Sequence, residues 1–219
     1  MSEQTINIPK LGVFLGLVAA VASGLLALVY SSTAEAISIN QLKKTNAALE
    51  QVLPAFDNVP SEDTQTMEAG TGWPVKFYIA RKDGAVVGFA GEVVTPEGFS
   101  GDVTVMVGLN ADGSVRKVIV TKQTETPGLG TAITDRKIKK TIVDVIKGGA
   151  EIVGLPPNGF LDQYDGRKAA GTAWAVVKDG GDVDAKTGAT ITSRAVCGAV
   201  YVVSQTAVDH LEELSKGAE

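Results

Sequence analysis

The sequence predicts an α+β domain with a mainly antiparallel sheet and helices, preceded by one N-terminal transmembrane helix. Three observations predict this class: an uncharged run near the start of the chain, pairs of β-branched segments separated by turn residues, and helical apolar spacing near the end. Hydrophobic residues make up 44% of the 219 residues and charged residues 21%, proportions that suit a folded globular domain rather than a disordered chain.

The first element is a predicted transmembrane helix at residues 11–30, which follows a short tail at residues 1–10. Leu11 to Tyr30 contains no charged residue, and about 20 helical residues match the ~30 Å hydrocarbon core of a bilayer. A cleaved signal peptide is the alternative, because residues 34–36 read Ala-Glu-Ala. The apolar run exceeds the usual signal-peptide core of about 7–15 residues, which favours an uncleaved anchor.

Residues 31–72 are predicted to hold an amphipathic helix and a linker. Apolar residues recur among polar ones from Ile37 to Leu53, and Pro54 ends this helix. Residues 57–72 are polar and contain both proline and glycine, so they are predicted to form a loop.

The remaining chain, residues 73–219, is predicted to form one domain in which two hairpins come first. β-Branched residues alternate with others in the strands, and Asp83-Gly84 marks the first hairpin turn. Helical apolar spacing marks the later helices. The predicted elements are strands at residues 75–80, 85–95, 103–107, 115–120 and 172–178, and helices at residues 134–147 and 191–214.

Composition excludes several classes of function. The net charge of -5 and the pI of about 5.0 argue against nucleic-acid binding, which requires a basic surface. One cysteine, Cys197, and one histidine, His210, cannot build a tetrahedral zinc site, an iron–sulfur cluster or an intrachain disulfide. No metal site is predicted, and redox chemistry would need an organic cofactor or another chain.

The segment before the last predicted helix is suited to binding an anion. Its four hydroxyl residues lie near the helix start, where free N–H groups and partial positive charge attract phosphate. Capping of the helix by Thr187 or Thr190 explains the same pattern, so the residues alone leave both interpretations open. The four are Thr187, Thr190, Thr192 and Ser193.

This segment resembles the flavinylation motif of the FMN-binding domain family, Asp-x-x-[Ser/Thr]-Gly-Ala-[Thr/Ser]. The resemblance implies that Thr190 carries FMN through a phosphoester, which a flavin transferase makes from FAD with a divalent metal. It also implies that Thr187 and Gly188 shape the phosphate turn and that the transferase recognises Asp184. The small side chain of Ala189 leaves space beside a reacting hydroxyl. The matching residues are Asp184, Thr187, Gly188, Ala189 and Thr190.

A second segment, residues 125–130, resembles another signature of that family, Glu-Thr-Pro-Gly-Leu-Gly. An ordinary Thr-Pro-Gly turn is the alternative. Residues 160–164 look like a third and weaker signature. The residues that the resemblance implies lie near the isoalloxazine ring are Glu125, Thr126, Leu129 and Gly130.

Four other side chains have simple interpretations. Arg194 is either a partner of the phosphate or an exposed helical arginine. Trp174 either stacks on the flavin or lies in a buried strand. Cys197 is predicted to be a small buried hydrophobe, and His210 a surface helix residue.

The N-terminal anchor and the order of these motifs resemble the RnfG family, the G subunits of Rnf electron-transport complexes. This resemblance implies a protein that relays electrons between ferredoxin and NAD, without catalytic residues of its own, in a complex that transports Na+ or H+. It implies other membrane subunits as partners and a single-pass location in the cell (inner) membrane, with the soluble domain outside the cytoplasm. The alternatives are the C subunit of a Na+-translocating NADH:quinone oxidoreductase and a non-redox, membrane-anchored interaction domain.

Overall fold

The computed structural model describes residues 8–136 and 155–216, and its fold is α+β, as predicted. A five-stranded antiparallel sheet lies among helices, and a long apolar helix precedes it. The helices are α1 (Ile8–Val52), α2 (Thr131–Thr134), α3 (Gly159–Asp162), α4 (Thr190–Asp209) and α5 (Leu211–Lys216). The strands are β1 (Thr64–Glu68), β2 (Pro74–Lys82), β3 (Ala85–Thr95), β4 (Val103–Asn110) and β5 (Val115–Lys122).

Helix α1 contains both the predicted membrane segment and the predicted amphipathic helix in one uninterrupted element. Between them, the hydroxyls of Ser31 and Thr33 donate hydrogen bonds to the carbonyls of Leu28 and Val29, which satisfies these polar side chains within the helix. Among residues 8–136 and 155–216, α1 is the one helix long and apolar enough to cross a membrane. Its most apolar stretch contains no buried residue, unlike a core helix of a soluble protein. The chain divides into two compact units after Lys43.

The sheet is an antiparallel meander in the order β1-β2-β3-β4-β5. Asp83 and Gly84 join β2 to β3 with φ angles of 52° and 79°, and two positive φ values are what a type I′ hairpin turn requires. The predicted hairpin is therefore confirmed. Strand β1 lies within the predicted loop at residues 57–72, and that part of the prediction is wrong. It is an edge strand in which only Met67 is buried, so its polar composition hides the strand pattern.

Helices cover both faces of the sheet in the larger unit. On one face α4 packs against β3 and β4, and glycine is required at Gly91 because a Cβ atom there would overlap Val203. On the other face the end of α1 lies so close that a Cβ atom on Gly108 would overlap the carbonyl group of Val52. The core beneath α4 includes Val75, Phe77, Phe89, Val105, Val196 and Val200, and the core beneath α1 includes Leu49, Val52, Tyr78, Ala90 and Met106.

The strand predicted at residues 172–178 is wrong. The segment holds a single isolated bridge between Val176 and Val183 and one turn of 3-10 helix at Val177–Asp179. Its backbone forms hydrogen bonds with residues a few positions later in the chain. For example, the Asp182 N–H donates to the Ala173 carbonyl at 3.0 Å. The segment therefore closes a local loop and adds no strand to the sheet.

The two predicted C-terminal helices have different outcomes. The long helix at residues 191–214 is present but interrupted, because α4 ends at Asp209 and α5 begins at Leu211, with His210 at φ -115° between them. Most of the helix predicted at residues 134–147 lies outside the described residues. Within them, α2 ends at Thr134, and residues 135 and 136 are not helical.

Candidate functional site

A surface cavity lies where the segment before α4 meets the loops that follow β3 and β5. Its volume is about 260 Å³, somewhat below the roughly 300–1,000 Å³ of pockets that enclose a drug-sized ligand. It therefore has room for part of a large cofactor and leaves the rest exposed. The residues that line it are Phe99, Glu125, Thr126, Leu129, Gly130, Gly188, Ala189, Thr190, Ile191 and Thr192.

Most of the predicted site residues line this cavity. Asp184 and Thr187 are the exceptions, because neither belongs to the lining. Sequence reasoning did not identify Phe99, Ile191 or Thr192 as cavity residues. The predicted residues that the structure brings together are Glu125, Thr126, Leu129, Gly130, Gly188, Ala189 and Thr190.

Direct contacts hold the two predicted segments side by side. Lys186 Nζ donates a hydrogen bond to the Gly128 carbonyl oxygen at 2.8 Å. Gly188 has a φ of 84°, which glycine adopts without strain, and a Cβ atom there would lie 3.4 Å from Leu129 Cδ2. The two signatures therefore adjoin one cavity, while their contact with a flavin stays a prediction.

Residues 126–129 form a tight turn at the edge of the cavity. The Leu129 N–H donates to the Thr126 carbonyl at 3.2 Å, and Gly128 has a φ of 78°. Proline followed by a glycine with positive φ is typical of a type II turn. The segment therefore forms a Thr-Pro-Gly turn that lines the cavity, and its contact with a flavin stays a prediction.

The start of α4 has no side-chain cap. The N-cap residue is Ala189, so the alternative in which the hydroxyl of Thr187 or Thr190 caps this helix is wrong. Within the part of the chain that the structure describes, the Thr190 hydroxyl and the N–H groups of Thr190, Ile191 and Thr192 make no hydrogen bond. Free N–H groups at a helix N-terminus suit a phosphate. Thr190 is half-buried, lines the cavity and is the first residue of α4, so its hydroxyl lies at the same helix start as these N–H groups.

Glu125 joins three segments of the cavity wall. Its side chain is buried, and Oε1 accepts hydrogen bonds from the backbone N–H groups of Phe99 at 2.8 Å and Ser100 at 3.4 Å. Oε2 accepts a hydrogen bond from the Thr192 hydroxyl at 2.9 Å. A Cβ atom on Gly130 would overlap this carboxylate. The residue implied to lie near a flavin ring therefore also fixes the loops around it.

Gln163, in the third and weakest signature, and Arg167 just after it bind the backbone of the motif segment and the residues before it. Gln163 Oε1 accepts a hydrogen bond from the Asp184 N–H at 2.7 Å, and its Nε2 donates to the Asp184 carbonyl at 3.1 Å. Arg167 Nη2 donates to the carbonyl of Asp182 at 2.9 Å. These bonds fix the backbone and leave the Asp184 side chain exposed to solvent, where another protein can reach it.

Arg194 and Trp174 lie outside the cavity lining. Arg194 makes two hydrogen bonds to Asp179, at 2.7 and 2.8 Å, and these hold the pKa of the Asp179 carboxyl below its usual value. It is the exposed helical arginine of the second interpretation. Trp174 packs between Tyr164 and Tyr201, with ring centroids 6.3 and 5.9 Å apart. It is partly buried, but it does not lie in a strand.

The single cysteine and histidine also lie away from the cavity. Cys197 is buried, as predicted, and burial raises the pKa of its thiol to about 11. His210 is partly exposed, with Nδ1 2.9 Å from Glu213 Oε2. These two side chains contribute nothing to the cavity lining.

Exposed apolar side chains line the mouth of the cavity. Phe99 is 65% exposed, Leu129 45% and Ile191 46%, and large apolar side chains exposed together mark binding surfaces. Apolar walls beside a helix start with free N–H groups match the two halves of FMN, an aromatic ring system and a phosphate. The residues present therefore fit that cofactor.

Comparison with known proteins agrees with this geometry. A family model of the FMN-binding domain matches residues 98–204, which include every residue of the cavity lining, and a model of the RnfG N-terminal region matches residues 1–52. The chain is 34% identical over 212 residues to the G subunit of the ion-translocating oxidoreductase complex of Vibrio cholerae, covering 94% of this chain and 93% of that one. It is 35% identical over 216 residues to the same protein of Photorhabdus laumondii, covering 95% of each chain.

Proposed function

Because this chain belongs to the family of G subunits of ion-translocating oxidoreductase complexes and contains an FMN-binding domain, we propose that it is the covalent-FMN subunit of such a complex. In this proposal Thr190 holds the FMN through a phosphoester. The protein relays electrons within a ferredoxin:NAD oxidoreductase that transports ions across the membrane.

The observation that carries this proposal is the environment of Thr190. Its hydroxyl has no hydrogen-bond partner within the described residues, whereas the hydroxyls of Thr192 and Ser193 both donate hydrogen bonds. It lies at an uncapped helix start and on the wall of the cavity that joins the two signature segments. A free hydroxyl beside a phosphate-binding helix start is the arrangement that a phosphoester at this residue needs.

The attachment is a single displacement at phosphorus, with no change in oxidation state. Thr190 Oγ1 bonds to the phosphorus of the FMN half of FAD, the pyrophosphate P–O bond breaks, and AMP leaves. The hydroxyl proton passes to a base of the flavin transferase, which also supplies the divalent metal. Asp184 is exposed near this segment and serves as a recognition residue for the transferase.

The chain's own residues then hold the two halves of the cofactor. The N–H groups of Ile191 and Thr192 would donate hydrogen bonds to phosphate oxygens, and Gly188 would leave the turn open beside them. The side chains of Phe99 and Leu129, which line the cavity, would pack against the ring system and keep water from part of it. The bound FMN supplies the capacity to take up and release electrons.

Membrane attachment completes the proposal. The apolar part of α1 anchors the chain as a single-pass protein of the cell (inner) membrane, where the other membrane subunits of the complex are its partners. The flavin domain lies outside the cytoplasm, where a noncovalent cofactor would be lost to the medium. A covalent bond retains the FMN whatever its binding affinity.

The test is the mass of the full chain produced together with a flavin transferase. The wild-type chain should gain about 440 Da, the mass of one FMN less water, and fluoresce in a denaturing gel. Thr190→Val keeps the shape of the side chain without the hydroxyl and should abolish both signals. Thr190→Ser keeps the hydroxyl and should retain them. An unmodified wild-type chain, or a Thr190→Val chain that still gains the mass, would refute the proposal.

A further inference from the structure

Glu125 places a buried negative charge in the wall of the cavity. Its side chain is only 5% exposed, yet it belongs to the cavity lining. Neither carboxylate oxygen lies within 4.0 Å of a lysine or arginine nitrogen in residues 8–136 and 155–216. A buried carboxylate without a cation beside it is costly unless hydrogen bonds stabilise it, so the hydrogen bonds of Glu125 matter for the stability of the site.

Glu125 is the acceptor in all of those hydrogen bonds. Oε1 faces the N–H groups of Phe99 and Ser100, which can only donate, and the Thr192 hydroxyl donates to Oε2. A carboxylate accepts such bonds with both oxygens. The side chain is thus an acceptor held at a fixed position, stabilised by dipoles and not neutralised by a cation.

We propose that this carboxylate lowers the reduction potential of the flavin, which makes Glu125 a residue that tunes the electron relay. The inference rests on the proposed function, because it requires the flavin ring to lie in this cavity. Reduction of a flavin at neutral pH adds negative charge to its ring system. A fixed carboxylate in the same wall opposes that charge, and the opposition is strong where protein replaces water.

Two substitutions separate this charge from the structural role of the side chain. Glu125→Gln removes the charge but keeps a similar shape, and its amide oxygen can still accept from Phe99 and Ser100 while its NH₂ group faces Thr192. Thr192→Val removes the hydrogen bond to Oε2 and keeps both the carboxylate and the packing volume. Loosened packing would affect both variants, whereas a charge effect appears only in Glu125→Gln.

The experiment is an anaerobic redox titration of the detergent-solubilised, flavinylated full chain against reference dyes. Glu125→Gln should raise the equilibrium constant for two-electron reduction by about tenfold, which corresponds to an upward shift of about 30 mV. Thr192→Val should change that constant by less than about twofold. An unchanged or lower potential in Glu125→Gln, or an equal shift in Thr192→Val, would overturn the inference.

The mass of each chain keeps this inference distinct from the proposed function. A wild-type chain without FMN refutes the proposed function itself, whereas a flavinylated Glu125→Gln chain with the wild-type potential refutes only the tuning role. If Glu125→Gln does not fold, the double variant Glu125→Met/Thr192→Val removes the charge together with its buried hydroxyl partner. A flavinylated double variant whose potential is no higher than that of the wild-type chain would also overturn the inference.

Discussion

Replacing Gly130 by alanine perturbs the cavity wall at one defined contact. Gly130 has φ -61° and ψ -39°, a conformation that alanine adopts freely, so the substitution introduces no backbone strain. Its Cβ atom would overlap Oε2 of Glu125 and lie 2.7 Å from Glu125 Cβ and 3.0 Å from Cδ. All three contacts are to one side chain, so Glu125 must move.

The cost follows from the bonds that Glu125 would lose. Overpacking a close contact destabilises the fold by about 1–3 kcal/mol. Breaking a hydrogen bond to the charged Glu125 side chain destabilises it by roughly 1.5–3 kcal/mol more, before the loops relax. Because the loops can relax, we expect a total loss of about 3 kcal/mol in the free energy of unfolding. For a domain of this size that corresponds to a melting temperature lower by about 6–12 °C.

The assay is thermal unfolding of the detergent-solubilised full chain, monitored by circular dichroism. Gly159→Ala is the matched control, because a Cβ atom there meets nothing within 4 Å and the residue begins helix α3. That control should leave the melting temperature unchanged or slightly higher. If Gly130→Ala is as stable as Gly159→Ala, the close packing of Glu125 against Gly130 is refuted.

Two further predictions concern the support of the motif segment and the buried thiol. Gln163→Ala should remove both hydrogen bonds to the Asp184 backbone and lower the FMN occupancy reached in a fixed time of co-expression; full occupancy at the wild-type rate would contradict this. Burial raises the pKa of the Cys197 thiol from 9.0 to about 11, so the unfolded chain loses this proton first, and the free energy of unfolding should fall as pH rises over that interval. Cys197→Ala should make the fall smaller by about 2 kcal/mol in urea titrations; an identical pH dependence in both chains would refute the assignment.

Patterns local in sequence allowed the correct prediction of most of the fold. The Asp83-Gly84 turn fixed the register of the first hairpin, because its conformation depends on two adjacent residues. Strand β1 escaped prediction because an edge strand needs few apolar residues. The segment at residues 172–178 has a strand-like composition, but its backbone hydrogen bonds go to the loop around Asp182 and not to a neighbouring strand. Its composition does not indicate which of these partners it has.

The sequence allowed the prediction of two motifs in the candidate site, but not of their arrangement in space. Sequence reasoning identified Thr190 and the 125–130 segment because their residue patterns resemble those of a family. It did not identify Phe99, which no pattern marks, and it could not foresee that Glu125 bonds to Thr192 across 67 residues of chain. Such contacts depend on the meander bringing the loops after β3 and β5 beside the start of α4. Long-range packing of that kind leaves no local signal.

The proposed function depends on one covalent bond, and peptide mapping of the flavinylated chain tests that bond most directly. Cleavage after Lys186 and Arg194 releases residues 187–194, which contain four hydroxyl side chains. We predict that this peptide carries the additional mass of about 440 Da and that fragmentation locates it on Thr190. Recovery of the unmodified peptide, or of FMN on any other residue, would contradict a phosphoester at Thr190.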